Sequence, residues 1–297
     1  GVFGMRMADI VGRIGAKLTR VNAPWGKTVD VEDVRKAVRG KTPKMVAVVH
    51  AETSTGVCQP LEDIASIAHE AGALFLVDAV TSLAGMDVAV DRIGIDAIYS
   101  GTQKCLSCPP GLAPISFSAA AMEVLRSRET PVVSWYLDMS MVADYWGGSR
   151  KYHHTAPINM IYALREALRL IAEEGLDVRF ARHRLNHQAL VAGVEAMGLS
   201  MVVAEADRLP MLNTIRIPDG ADDRRVRGAL LTEYGIEIGA GLGEFTGKAW
   251  RVGLMGHACC QRNVVLLLAA LETILKSAGV AVGSGAVEAA TGVYEKA

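Results

Sequence analysis

Residues 44–78, KMVAVVHAETSTGVCQPLEDIASIAHEAGALFLVD, decide the fold of this chain. The apolar run at residues 44–50 and the run Leu74–Asp78 are each typical of a buried strand. Pro60 suits the first turn of a helix whose apolar face continues to Gly72, where the helix is expected to end. Strands that alternate with helices predict a mostly parallel sheet covered on both faces. We therefore expect an α/β fold.

The pattern continues on both sides of this unit. Asp30 can cap a helix over Val31–Val38. Further strands are predicted at residues 97–100 and 113–117, and long helices at residues 157–175 and 176–197. Beyond these helices the pattern changes to short strands and helices, at residues 199–203, 213–217, 222–234, 250–254 and 261–278. We expect a large domain at residues 1–175 and a smaller α+β domain at residues 176–297, with a partly mobile tail after residue 279.

The composition limits the classes of function. The chain has 297 residues, of which 51% are hydrophobic and 21% charged, so it can fill a sizeable core. A formal net charge of −1, without long runs of like charge, gives no electrostatic footprint for nucleic acid. No apolar stretch reaches the roughly 18 residues of a membrane span. Five scattered cysteines and no recognisable C-terminal address predict a reducing compartment, with the cytoplasm as the default.

Asp78 and Lys104 are the most informative pair of residues. Asp78 ends one predicted strand, and Lys104 follows the next one in the small and polar segment SGTQK at residues 100–104. Ligands of such sheets bind at the carboxyl ends of the strands, where both residues would lie. A pyridoxal phosphate (PLP) enzyme needs a lysine for the Schiff base and a carboxylate that holds the proton on the pyridine nitrogen. The pair therefore predicts PLP-dependent amino-acid chemistry, although an isolated lysine or aspartate would indicate only a loop.

Other side chains are candidates for the same site. Thr53 follows a strand, where its hydroxyl could bind a phenolic oxygen of the cofactor or serve only a polar turn. Arg251 lies in a strand-like run and is either half of a structural salt bridge or a clamp on a substrate carboxylate. Tyr152 and Thr155 could reach a phosphate with their hydroxyls. The two histidines between them lack the further ligands of a metal site, so we expect no metal.

Two further patterns are weak. Cys105 and Cys108 form a C-x-x-C motif, but no second pair has the spacing of a zinc site, and a redox role is the less favoured alternative. Gly247 and Lys248 are similar to the end of a P-loop. Leu242 stands where that motif requires glycine, and Ala249 follows the lysine in place of Ser or Thr. We therefore predict no zinc or nucleotide site.

The chain resembles the alanine–glyoxylate/serine–pyruvate aminotransferases, which form part of class V of the PLP-dependent aminotransferases. The likeness runs from the first residues, GVFGMRMADIVGRIGA, to beyond residue 256. Its matching segments are HAETSTGVCQPL, LFLVDAVTSLAGM, DRIGIDAIYSGTQKCLSCPPGLAPISFS, YHHTAPINMIYALREALRLIAEEGL and TGKAWRVGLMG. The resemblance implies the fold type I architecture: a large domain with a mostly parallel sheet and a smaller α+β C-terminal domain.

The resemblance also implies roles for residues at the cofactor. Lys104 is similar to the Schiff-base lysine of the family, and Asp78 is similar to the partner of the pyridinium nitrogen. Val80 corresponds to the residue that packs on one face of the ring, and Thr53 to the hydroxyl near the cofactor. Gln103 corresponds to a phosphate ligand.

Three further roles concern the substrate and a second subunit. By the same resemblance, Arg251 clamps the substrate carboxylate. Tyr152 and Thr155 bind the phosphate of the neighbouring subunit's cofactor in a homodimer whose active sites lie at the subunit interface. The implied reaction moves an amino group from alanine or serine to glyoxylate or another 2-oxo acid. A serine–glyoxylate or a pyridoxamine–pyruvate transaminase is an alternative within the class.

One expectation concerns the start of the chain. Family members carry a preceding segment with a Gly/Ser/Thr phosphate loop and an aromatic residue that stacks on the pyridine ring. We find neither in this sequence, because Trp25 lies in a different context, and we expect a segment ahead of Gly1 to be missing. A truncated dimerisation scaffold that binds no cofactor is therefore the alternative from a different class of function.

Overall fold

The chain contains eleven α-helices and nine β-strands in a computed structural model that describes residues 1–297. The helices are α1 (Val2–Arg13), α2 (Val31–Val38), α3 (Glu62–Glu70), α4 (Val90–Ile93), α5 (Ala119–Arg126), α6 (Met139–Trp146), α7 (Ile158–Glu174), α8 (Leu176–Ala196), α9 (Asp223–Tyr234), α10 (Gln261–Ser277) and α11 (Ala286–Tyr294). The strands are β1 (Met45–Val49), β2 (Ala51–Glu52), β3 (Val57–Cys58), β4 (Leu74–Asp78), β5 (Ala97–Tyr99), β6 (Ile115–Phe117), β7 (Leu212–Arg216), β8 (Gly239–Ala240) and β9 (Ala249–Gly253).

The strand–helix–strand unit at residues 44–78 forms as predicted. β1 and β4 pair in parallel, β5 adds to β4 in parallel, and β6 closes the sheet as its one antiparallel strand, in the order β1-β4-β5-β6. Gly72 ends the helical segment with a positive φ of 70°, a conformation that glycine adopts without strain. The prediction of a mostly parallel sheet is therefore confirmed.

One hydrophobic core lies between this sheet and the helices α2 and α3. Ile64, Ile67 and Ala68 of α3 are buried against Phe75 and Val77 of β4. These positions recur at helical spacing in α3 and at alternate positions in β4, so each element presents one apolar face to the other. The Asp30 side chain accepts a hydrogen bond from the Glu32 N–H at 2.8 Å, which confirms the predicted cap of α2.

A second core belongs to the C-terminal part of the chain. The antiparallel sheet β7-β9-β8 packs with α8, α9, α10 and α11 around the fully buried Trp250. The predicted strand at residues 199–203 is wrong, because only Met201 forms a β-bridge, with Ile215. Leu199, Met201 and Val203 are buried in alternation, as in a strand, but the segment runs beside β7 without a regular ladder.

The tail also differs from its prediction. Residues 286–294 form helix α11, whose Ala286 and Ala290 are completely buried. A Cβ atom added at Gly193 of α8 would lie 2.8 Å from the Ala286 carbonyl oxygen, so the small residues allow a close approach of the two helices. The Tyr294 hydroxyl donates to Asn186 Oδ1 at 2.8 Å. The Gly- and Ala-rich composition therefore serves close helix packing.

The two parts of the chain meet where α7 passes into α8. Gly175 separates these helices with a φ of 82°, at the predicted domain boundary. A third hydrophobic cluster draws on both sides of that boundary, including Leu106 before it and Met211 after it. The division into domains at residue 175 stays a prediction. No helix combines the length and apolar character needed to cross a membrane.

Candidate active site

The candidate site lies at the carboxyl ends of β4 and β5. These strands are parallel neighbours with Asp78 opposite Tyr99, the last residue of each strand. Lys104 follows β5 by five residues, so the loop after the strand carries it back to the same edge of the sheet. This edge is where α/β sheets bind their ligands, because the connecting loops diverge there.

Asp78 is a buried carboxylate without a cationic partner. It is 7% exposed, and its oxygens accept hydrogen bonds from the Val80 N–H at 2.9 Å and the Tyr99 hydroxyl at 2.8 Å. Burial raises the pKa of Asp78, and these two hydrogen bonds oppose the rise only in part. A positive charge placed beside this carboxylate would therefore stabilise its ionised form.

Lys104 is half-buried and has no hydrogen-bond or ion-pair partner for its ammonium group. Burial lowers the pKa of Lys104, and the positive charge of Arg251 lowers it further. Both effects favour the neutral amine, which is the form that acts as a nucleophile or a base. The lysine predicted from the sequence is therefore in an environment that suits covalent catalysis.

Arg251 connects the C-terminal part of the chain to this site. Its Nε donates to the Ala240 carbonyl at 2.7 Å, and its Nη1 donates to the Thr53 carbonyl at 3.0 Å. No carboxylate lies within ion-pair distance of the guanidinium group, which argues against the alternative of a structural salt bridge. The Thr53 side chain is buried, and its hydroxyl makes no hydrogen bond within the chain. Both side chains therefore retain capacity to bind a ligand.

Val80 and Gln103 flank the central pair along the chain. Val80 is half-buried two residues after Asp78, and Gln103 is exposed directly before Lys104. A Cβ atom at Gly101 would lie 2.7 Å from Gln103 Oε1, so the glycine leaves room for the glutamine side chain to fold back. The positions agree with the predicted roles, which stay predictions.

Tyr152 and Thr155 do not join this group. The Tyr152 hydroxyl lies 3.0 Å from Thr155 Oγ1, and the tyrosine side chain is 71% exposed. Between them, His153 is buried and stacks on the Trp135 ring, with ring centroids 4.3 Å apart. The two hydroxyls thus form a pair that is presented outward from an aromatic cluster, with no contact to Lys104 in the same chain.

The structure adds three residues that the sequence analysis did not select. Tyr99 is one, through its bond to Asp78. Glu52 is buried, and its carboxylate accepts hydrogen bonds from the N–H groups of Phe3 and Gly4, both at 3.1 Å, at the beginning of α1. Glu52 thereby holds Phe3 beside the turn that carries Thr53. Phe3 is a candidate for the aromatic residue that we did not find in the sequence.

One signal could have indicated Tyr99 in advance. It is the last residue of its predicted strand, and the parallel neighbour of that strand ends at Asp78. No comparable signal exists for Glu52, because its partners, apart from the nearby Ser54, are backbone groups of a helix nearly fifty residues away.

Cys105 is not a reactive thiol in this arrangement. It is 1% exposed, and its Sγ donates to the Thr81 carbonyl at 3.3 Å. Burial raises the pKa of Cys105 to about 12, so the thiol stays protonated near neutral pH. The arrangement gives no support to the redox alternative for the C-x-x-C motif.

The residues present fit PLP. Asp78 offers an unpaired buried carboxylate, Lys104 an unpaired amine of lowered pKa, and Thr53 a free hydroxyl. A protonated pyridine nitrogen, an aldehyde and a phenolic oxygen are the complementary groups. The donor set therefore suits this cofactor without rearrangement of the ion pairs of the chain.

Comparisons with known proteins agree with this chemistry. Residues 5–258 match the family model described as aminotransferase class V. The (S)-ureidoglycine–glyoxylate transaminase of Bacillus subtilis (strain 168) is 41% identical over 317 residues, covering all of this chain and 76% of the relative. A crystal structure of the ureidoglycine–glyoxylate aminotransferase from Bacillus subtilis gives a TM-score of 0.96 at 43% identity, over 99% of this chain and 76% of that one.

Two further solved structures are similar. An alanine–glyoxylate aminotransferase from Nostoc sp. has a TM-score of 0.90 and 49% identity, over 92% of this chain and 72% of that one. A pyridoxamine–pyruvate aminotransferase from Mesorhizobium loti has a TM-score of 0.91 and 30% identity, over 100% of this chain and 76% of that one. The likeness extends through both parts of the chain and confirms the fold type I architecture. With its strand-end aspartate and the lysine beyond the next strand, this chain belongs to the class V aminotransferases.

Proposed function

We propose that this aminotransferase uses PLP to transfer an amino group from a small amino acid, alanine first, to glyoxylate. The observation that carries the proposal is that, at one sheet edge, the Asp78 carboxylate has no cationic partner and the Lys104 amine has neither a hydrogen-bond nor an ion-pair partner. Glyoxylate is the acceptor because it occurs in the names of the relatives from Bacillus subtilis and Nostoc.

The chain has a residue for each part of the cofactor. Asp78 would accept the hydrogen bond of the protonated ring nitrogen, and its negative charge would hold that proton in place. Thr53 would bind the phenolic oxygen, Val80 would cover one ring face, and Gln103 would bind the phosphate. When bound, PLP supplies an electron sink that makes the α-proton of an amino acid labile.

Lys104 is the group that moves the proton. Its lowered pKa increases the fraction of neutral Nζ near neutral pH, and a neutral amine can take a proton from the α-carbon of the donor. The same atom, once protonated, can return the proton. Acid and base roles therefore both fall to Lys104.

Arg251 orients the substrate. Two of its nitrogens are fixed by the carbonyls of Ala240 and Thr53, so the guanidinium plane is held while Nη2 remains free. A carboxylate that binds this fixed cation would present its α-carbon at a constant position. Amino acids and 2-oxo acids share the carboxylate, so one clamp can serve both half-reactions.

The amino donor has a second candidate. The Bacillus subtilis relative at 41% identity is named for (S)-ureidoglycine, whereas the Nostoc relative is named for alanine. Both are amino compounds with a carboxylate that Arg251 could hold. Serine and pyridoxamine are further donors within the class. We propose alanine as the first donor to test and ureidoglycine as the second.

We also propose that the enzyme is a homodimer with shared sites. Tyr152 and Thr155 would then bind the phosphate in the partner's site. Their outward position and mutual hydrogen bond support this assignment. The surrounding surface carries large exposed apolar side chains, which favours contact with another protein surface. These are Val133, Trp135, Tyr136, Leu137 and Trp146.

The visible absorption spectrum of the purified protein with PLP, before and after addition of L-alanine, tests the proposal. We expect a yellow protein whose visible band bleaches with alanine and returns with glyoxylate. A band that is indifferent to alanine but bleaches with ureidoglycine, serine or pyridoxamine assigns that donor instead. A protein that stays colourless contradicts the proposal and favours the non-catalytic scaffold.

A further inference from the structure

Three charged side chains lie where α7 passes into α8. Glu174 is the last residue of α7, and Arg179 and Arg182 lie in the first two turns of α8. Arg179 Nη1 donates to Glu174 Oε2 at 2.6 Å, and Arg182 Nε donates to Glu174 Oε1 at 2.5 Å. These hydrogen bonds, that of Arg182 first, lower the pKa of Glu174 to about 2, so the carboxylate is ionised at neutral pH. We call these three residues the junction cluster.

Arg179 extends the junction cluster to the loop of Lys104. The arginine side chain is 6% exposed. Its Nε donates to the Ala84 carbonyl at 2.9 Å, and its Nη2 donates to the Cys105 carbonyl at 2.5 Å. Cys105 directly follows Lys104, so Arg179 holds the backbone beside the catalytic lysine.

Arg182 extends the cluster to the other side. Its Nη1 donates to the carbonyls of Gly256 at 2.9 Å and Cys259 at 2.5 Å. Gly256 follows strand β9, which carries Arg251, by three residues. His183 adds to this side, because its Nε2 accepts from the Gly256 N–H at 3.0 Å. The segment after β9 is thus tied to α8.

The two segments also contact each other directly. Ser107 Oγ accepts a hydrogen bond from the His257 N–H at 2.8 Å. A Cβ atom at Gly256 would lie 2.7 Å from the Cys105 carbonyl oxygen and would overlap Ser107 Oγ, so the backbones approach too closely for a larger residue. Any change in how α8 holds one segment is therefore transmitted to the other.

We propose that the junction cluster positions the Lys104 loop relative to the Arg251 strand, and that Glu174, Arg179 and Arg182 are positioning residues for the carboxylate substrate. The inference rests on the proposed function. Glu174 is the counter-ion shared by Arg179 and Arg182. Without its charge the two guanidinium groups repel each other in a partly buried site, and they no longer hold the Lys104 loop and the segment after β9 at a fixed distance. The distance between amine and carboxylate clamp would then vary.

The test compares Glu174→Gln with Glu173→Gln. Glu173 is the adjacent residue on α7, is exposed and pairs only with Arg169, so the control removes an ion pair of equal charge outside the cluster. Two quantities are measured: hydrogen–deuterium exchange of residues 104–108 and 254–259 in the cofactor-free and loaded protein, and kcat and KM for glyoxylate.

We expect Glu174→Gln to speed exchange in both segments by about tenfold, the effect of losing one charged hydrogen bond. The KM for glyoxylate should rise by a similar factor while kcat changes less than about twofold, since the chemistry at Lys104 is intact. Glu173→Gln should do neither. Exchange that rises throughout the chain with an unchanged KM, or a Glu174→Gln variant that behaves as its control, would overturn the proposal.

Arg182→Lys provides a second test of the proposal if Glu174→Gln does not fold. Lysine retains the charge beside Glu174, but a single amine does not replace the fork that reaches two carbonyls and the carboxylate. We expect the larger rise in exchange at residues 254–259, a smaller rise at residues 104–108 through the contact of Ser107 with His257, and a raised KM. Protection of both segments at the wild-type level would contradict the role. A colourless or inactive wild-type protein would refute the proposed function, whereas the exchange data from the cofactor-free protein would still report on the cluster.

Discussion

The site at the sheet edge and the outward-facing segment at residues 152–155 differ in where their polar groups find partners. At the sheet edge, Asp78 and Arg251 are fixed by neighbours of the same chain yet keep free capacity for a ligand. In the outward segment, Tyr152 and Thr155 bond only to each other, and the tyrosine is exposed. The difference indicates that the sheet-edge residues can bind a ligand within their own chain. We expect Tyr152 and Thr155, by contrast, to bind the phosphate in the site of a second chain.

The largest effect is expected at the amine. Lys104→Ala removes the group that we propose takes the α-proton, and the expected loss of turnover is about 10³-fold, the range of general acid–base catalysis. The visible band of the loaded protein should disappear with it. Steady-state turnover of alanine and glyoxylate measures the loss, and a variant that turns over at the wild-type rate would remove Lys104 from the mechanism.

The next effect concerns the carboxylate clamp. Arg251→Gln deletes a charged hydrogen-bond donor, and we expect KM for glyoxylate to rise by about a hundredfold, equal to about 3 kcal/mol of lost binding. Arg216→Gln is the control, because Arg216 lies exposed on the neighbouring strand β7. Equal KM values in the two variants would show that the clamp is elsewhere.

The sheet edge was largely predictable from the sequence, because its logic is local. The strand Leu74–Asp78 and the long helix at residues 158–174 follow apolar periodicity, and parallel pairing then brings the loop of Lys104 to the same sheet edge as Asp78. The boundaries of the helices that were predicted lie within about two residues of the observed ones, whereas α1, α4, α5, α6 and α11 were not predicted.

What failed or was missed depends on contacts distant in the chain. Residues 199–203 have the alternation of a strand but only one bridged residue, because pairing depends on β7 as well as on the segment itself. The bond from Arg251 to the Thr53 carbonyl spans 198 residues, and the junction cluster depends on backbone carbonyls, which carry no residue type. A single sequence holds no signal for such contacts.

The buried side of the molecule should show its own dependence on pH. Burial lowers the pKa of His50 and of His183 to about 4 from the ordinary value of 6.5. Between these values the unfolded chain binds a proton that the folded chain does not, so stability falls as the pH falls. Between pH 7 and pH 5, each histidine should lower the free energy of unfolding by about 2 kcal/mol.

His183→Gln should reduce the loss by about 2 kcal/mol, the share of one histidine, although the variant is less stable at pH 7, because it loses the bond from the Gly256 N–H. Urea denaturation at both pH values measures the difference. His257→Gln, at an exposed histidine, is the control. Its free energy of unfolding should change between the two pH values by as much as that of the wild type. An equal change in the free energy of unfolding for the wild type, His183→Gln and His257→Gln would contradict the lowered pKa of His183.

The smallest effect is expected in the outward segment. Tyr152→Phe removes one hydroxyl, and the dissociation constant of PLP should rise by about tenfold, the contribution of one hydrogen bond to a charged group. Tyr162→Phe is the matched control, because Tyr162 is also exposed, at 67%, and lies on α7. PLP titration followed by absorbance measures both, and equal affinities would contradict the phosphate role.

A mixture of variants decides whether Tyr152 serves its own chain or the partner. In a dimer of one Lys104→Ala chain and one Tyr152→Phe chain, donation across the interface leaves one site with both changes and the other with neither. Half of the sites should then bind PLP with wild-type affinity. If Tyr152 served its own chain, each site would carry exactly one of the changes, and no wild-type affinity would return. The mixed dimer therefore shows whether the Lys104 and the Tyr152 that serve one site come from the same chain or from two chains, which neither single variant can show.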